Sequence, residues 1–71
     1  MITVDLHGMR LKEAEELFFQ YLTASRLENR LYEVCFVTGQ GVIRESFIKL
    51  AKAADLSIHA LDPGRLWIFF E

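Results

Sequence analysis

Cysteine is nearly absent from this chain: Cys35 is the only one among 71 residues. A single cysteine excludes an internal disulfide, and without a spaced Cys/His set there is no zinc staple. Both absences point to a reducing compartment. Proline is as scarce, with Pro63 alone, and glycine is limited to positions 8, 39, 41 and 64. No run approaches the roughly 18 apolar residues that a membrane span requires. The opening Met1-Ile2-Thr3-Val4-Asp5 lacks the basic-then-apolar order of a signal peptide. The expected location is therefore cytoplasmic. An excess of positive charge is missing too: 8 Lys and Arg stand against 10 Asp and Glu, for a net charge of −2. That argues against a strongly basic grip on nucleic acid, which needs many Lys and Arg, yet it leaves room for a local basic cluster.

What remains is an ordinary globular composition, 52% hydrophobic and 25% charged. There is no repeat, low-complexity run or linker, and the length suits one domain over residues 1–71. A core this small has a thin stability margin and invites self-association.

The pattern alternates. Ile2–Leu6 switches between apolar and polar, as a strand does, and His7-Gly8 breaks it. Leu11, Ala14, Leu17, Phe18, Tyr21, Leu22 and Ser25 then recur at helical spacing, with Glu13, Glu15, Glu16 and Gln20 opposite, predicting an amphipathic helix over about 10–27. Tyr32–Thr38 is rich in β-branched and aromatic residues and reads as a central strand, ended by Gly39-Gln40-Gly41. Ile43, Phe47, Leu50, Ala51 and Ala54 form a second helical stripe. Leu56–Leu61 is a third strand, Asp62-Pro63-Gly64 a turn, and Leu66–Phe70 a fourth strand. The predicted fold is α/β in two layers: a β-α-β-α-β-β order, a four-stranded mixed sheet in the order 1-2-4-3, and both helices on one face. Alternation turns Ile2, Val4, Val34, Phe36, Leu56, Ile58, Leu66, Ile68 and Phe70 toward the helices. Thr3, Asp5, Glu33, Cys35, Val37, Ser57, His59, Leu61, Trp67 and Phe69 fall on the open face. Val37, Leu61, Trp67 and Phe69 make that face more apolar than a solvated sheet and offer a homodimer surface.

In open α/β sheets ligands gather beyond the carboxyl ends of parallel strands, where two loops meet. Thr38-Gly39-Gln40-Gly41 feeds a helix N-terminus, whose unpaired amides and dipole favour anions. Thr38 adds a hydroxyl, while Arg44 and the nearby Arg10 add charge. In the other loop Asp5 and His7 form an Asp-x-His pair suited to general acid/base work, since a carboxylate can orient an imidazole that titrates near neutrality. The plainer alternative is that Asp5 caps the turn. His59 reads as a surface or packing residue, Cys35 as an inert sheet residue, and the glutamates at 13, 15 and 16 as a solvated helix face.

At these two loops the sequence resembles the small MutS-related (Smr) domain family. Val4-Asp5-Leu6-His7-Gly8 is similar to its DLHG box. Val37-Thr38-Gly39-Gln40-Gly41, followed by Val42-Ile43-Arg44-Glu45, is similar to its TGxG or HGxG loop. The resemblance covers nearly the whole chain. It implies a fold like the C-terminal domain of translation initiation factor three, and nucleic-acid binding to DNA or RNA. In some members it also implies nicking or cleavage of phosphodiesters, helped in certain cases by a divalent ion such as Mg²⁺ or Mn²⁺. By the same resemblance Asp5 and His7 are the catalytic pair, and Gly8, Thr38, Gly39, Gly41 and Arg44 hold the phosphodiester, with Arg10 beside them. Gln40 stands where the family's second box often carries Lys, and the turn before the last strand is shorter than usual.

Overall fold

The computed structural model describes residues 2–71. Its elements are β1 (Ile2–Asp5), α1 (Leu11–Glu28), β2 (Tyr32–Val37), α2 (Val42–Ala53), β3 (Ser57–Asp62) and β4 (Arg65–Phe70). The strands form one sheet in the order β1-β2-β4-β3. β1 pairs parallel to β2, and β4 runs antiparallel between β2 and β3. This is the expected topology, with boundaries displaced by one or two residues.

The helix stripes meet the sheet as the periodicity requires. Ala14, Phe18 and Ser25 of α1 and Phe47 and Ala51 of α2 are buried, together with Val34, Phe36, Leu66, Ile68 and Phe70 of the central strands. Aromatic rings fill the centre: Phe18 meets Phe70 at 5.1 Å and Phe47 at 5.4 Å, and Phe36 meets Phe47 at 4.9 Å, all edge to face. That geometry suits the ring quadrupoles and adds to the area they remove from water. Ile2, expected under the helices, is 37% exposed, because it begins an edge strand with no helix above it. No helix is long and apolar enough to cross a membrane.

Helix ends are set locally. Asn29 takes the left-handed conformation that closes α1, and the Arg30 amide returns to the Ser25 carbonyl at 2.9 Å. At the other end of α1 the Arg10 amide donates to the Glu13 carboxylate at 3.0 Å.

On the open face Cys35 is only 4% exposed. Its cross-strand neighbour Trp67 lies 5.1 Å from Phe69, and His59 stands about 6 Å from both rings. His59 is thus a packing residue at an exposed position. A register shift between Ala60 and Asp62, not anticipated from the sequence, bulges β3 at Leu61, which is 45% exposed. The bulge delivers Asp62 to the turn, where its carboxylate accepts from the Gly64 amide at 2.9 Å and from Arg65 Nε at 2.8 Å.

Candidate nucleic-acid interface

β1, β2 and β3 all run the same way, so their carboxyl ends lie at one end of the sheet. Three turns gather there.

The first follows β1. Asp5 Oδ1 accepts the His7 backbone N–H at 2.8 Å, and the Met9 amide donates to the Leu6 carbonyl at 3.0 Å. Leu6 is fully buried and pins the turn to the core, while His7, Gly8 and Arg10 are exposed. The Leu6 amide donates to the Val37 carbonyl at 2.9 Å, which ties this turn to the start of the second. Asp5 therefore shapes the backbone under His7 and does not hold its imidazole. The capping alternative describes Asp5; the imidazole itself is free in solvent.

The second turn joins β2 to α2. Thr38 is 8% exposed, and its hydroxyl reaches the carbonyls of Gly39 at 2.7 Å and Gly64 at 3.4 Å. The amides of Thr38 and Gly39 also donate to the Gly64 carbonyl, at 2.8 and 3.1 Å. Thr38 thus faces inward and braces the loop; its hydroxyl is not presented to solvent. Gln40 and Gly41 are exposed. Gly41 caps α2 with φ 137° and ψ −149°, a conformation open to glycine and strained for other residues, and no side chain caps the helix. A Cβ built on Gly39 or Gly41 would meet nothing within 4 Å, so the space above these residues is clear. The first turn of α2 carries one acid, Glu45.

The third turn, Asp62–Arg65, was not expected in the mouth. The signal lay in the predicted order itself, because a β3 parallel to β2 must deliver the final hairpin to the same end. It captures Arg44, whose Nη1 donates to the carbonyls of Asp62 at 3.1 Å and Arg65 at 3.2 Å. Arg44 therefore clamps α2 to the hairpin across a groove of about 550 Å³ lined by Gln40, Gly41, Glu45 and Pro63. The Arg65 guanidinium and the Gly64 amide hold the Asp62 carboxyl below the usual carboxylate range, and Asp62 in return raises Arg65.

The structure thus ties the turn that carries His7 and Gly8 to the end of β2, where the Gly39-Gln40-Gly41 loop begins, and turns Thr38 and Arg44 to bracing. No group of three or more His, Cys, Asp or Glu that could hold a metal occurs among the described residues. The mouth does not fit a resident divalent ion: one Asp5 oxygen is committed to His7, and Asp62 is committed to Gly64 and Arg65.

Comparison with known proteins agrees with this fold. The crystal structure of the human small MutS-related domain matches with a TM-score of 0.71 at 22% identity, covering 96% of this chain and 99% of that one. At that identity the match speaks for the fold. No curated protein sequence matches significantly. The family model of the Smr domain matches residues 4–59, which takes in the turns after β1 and β2. The chain is a member of the Smr domain family.

Proposed function

We propose that the mouth receives a phosphodiester of DNA or RNA, and that His7 handles the proton when the bond is nicked. The observation that carries this reading is the uncapped start of α2, opening beside the exposed His7-Gly8 turn. The first amides of a helix have no intrahelical partner, and the helix dipole adds partial positive charge there. A phosphate seated over Gly41 would be met by His7 and Arg10 from the neighbouring turn, which the Leu6 amide ties to the Val37 carbonyl. Asp5 contributes by fixing the turn from which His7 projects. Amides aimed at the phosphate would stabilise charge that develops on it, as preorganised donors do elsewhere. With a net charge of −2 and few free cations, binding is weak, sequence-blind and sensitive to salt.

A second reading, binding without cutting, is favoured by one feature: the Asp5 carboxylate is spent on backbone rather than on the imidazole. One experiment separates the two. Supercoiled plasmid and structured RNA are incubated with the protein, with and without Mg²⁺ or Mn²⁺, alongside His7→Ala and Arg10→Ala. For the nuclease reading, His7→Ala abolishes nicking and leaves binding within about threefold, while Arg10→Ala weakens binding by about threefold to tenfold. Binding with no cleavage by the wild type selects the second reading. Cleavage that survives His7→Ala overturns the assignment of His7.

A further inference from the structure

The groove between α2 and the closing hairpin opens directly beside the mouth. It shares Gln40 and Gly41 with the proposed phosphate seat, and its volume is about 550 Å³. That size falls within the range that receives small ligands. Ile48, Ala60 and Pro63 give it apolar walls. Ala60 pairs with the buried Leu66, which puts it on the helix side of the sheet, yet it is exposed because α2 leaves it uncovered. A methyl group at that position leaves the floor of the groove open.

The polar groups of the groove divide into committed and free. Arg44 Nη1 is spent on the Asp62 and Arg65 carbonyls, and the Asp62 carboxylate on Gly64 and Arg65. Glu45 and Gln40 line the groove and are exposed. Among the described residues Glu45 has no ion-pair partner. The groove thus offers flat apolar walls, one free carboxylate and one free amide.

We infer that this groove takes an unpaired guanine base from the strand whose phosphate lies at Gly41, the reading on which this site rests. The continuity at Gln40 and Gly41 places the groove where the neighbouring nucleoside of that strand must go. Glu45 repels a second phosphate there and selects a group that donates. A carboxylate accepts through two oxygens, so its best partner presents two adjacent donors. Guanine does so, with the N1 and N2 hydrogens side by side. Adenine and cytosine set an acceptor nitrogen beside their amino group, and thymine and uracil set their one N–H between two carbonyls. The Gln40 amide is left for the guanine O6. Pairing in a duplex hides this edge, so the base must come from a single strand. To a phosphate contact that reads no sequence, the groove adds a preference.

Fluorescence anisotropy with three short labelled strands tests this: oligothymidylate, the same strand with one central guanosine, and the same strand with one central adenosine. The guanosine strand should bind about fivefold tighter than the other two, and annealing its complement should remove the preference. Glu45→Gln exchanges an acceptor oxygen for a donor. It should weaken the guanosine strand and slightly tighten oligothymidylate, bringing the two within about twofold. Ala60→Leu fills the floor from an exposed position and should erase the preference by itself. Gly41→Asp, in contrast, should weaken all three strands together. In NMR spectra the Glu45 and Ala60 amide signals should move with the guanosine strand and stay with oligothymidylate. Equal, salt-sensitive binding of the three strands overturns the guanine site and leaves the phosphate reading in place. A preference that survives both Glu45→Gln and Ala60→Leu also overturns the site. No binding to any strand overturns both readings.

Discussion

The two helices begin at the same end of the sheet, and their first turns are opposites. α1 closes its own start, with Glu13 accepting the Arg10 amide. α2 begins at a glycine with no side-chain cap. One helix start has its N-cap amide taken by its own acid; the other carries Glu45 in its first turn but has no side-chain cap. The difference arises in the sequence, where one helix carries an acid at the capping-box position and the other follows a Gly-x-Gly loop. Under the proposed function the contrast assigns the phosphate to the start of α2, although both helices stand over the same rim.

Making α2 resemble α1 should have the largest effect. Gly41→Asp would place an acid at the cap and force a side chain onto a φ of 137°, so binding of a short single-stranded oligonucleotide, read by fluorescence anisotropy, should fall about tenfold or more. Retained affinity would remove α2 from the binding surface. Making α1 resemble α2 should be milder and of a different kind. Glu13→Gln keeps hydrogen-bonding capacity but loses the charge, and should cost about 0.5–1 kcal/mol in urea unfolding with oligonucleotide affinity unchanged or slightly raised. The smallest effect concerns the brace of α2. Asp62 has a lowered folded-state pKa, so its stabilising share is complete above the ordinary aspartate value and is lost as pH falls through the lowered one. In an acid titration followed by NMR, the Gly64 and Gly39 amide signals should therefore move below the ordinary carboxylate range. Movement at a higher pH would show that the Asp62–Arg65 contact does not govern the turn.

Most of the fold was legible. The stripe Ala14, Phe18, Ser25 and the alternation Val34, Phe36 against Leu66, Ile68, Phe70 allow one arrangement of two helices over a sheet, and the core adopts it. Two β-α-β units and one tight hairpin leave more than one strand order open; the expected order, 1-2-4-3, is the one adopted. The bulge at Leu61 was not legible, because it depends on Asp62 reaching both Gly64 and Arg65, a tertiary balance without a periodic signature. The site was legible in its parts and less so in their roles. Motif position brought His7, Gly39 and Gly41 to one rim, but spacing alone does not tell a side chain that faces a guest from one that braces the loop. Thr38 and Arg44 are braces because the Gly64, Asp62 and Arg65 carbonyls, far along the chain, supply acceptors for them.

The single carbonyl of Gly64 takes two amides and the Thr38 hydroxyl from the loop that starts α2. The rim thus depends on a residue near the far end of the sequence. A chain halted before residue 62 would contain every residue of both sequence boxes and still leave the second loop without its support. During synthesis this rim can form only after the closing hairpin has emerged and docked, so an unfinished copy lacks the surface to which the proposed function assigns the phosphate.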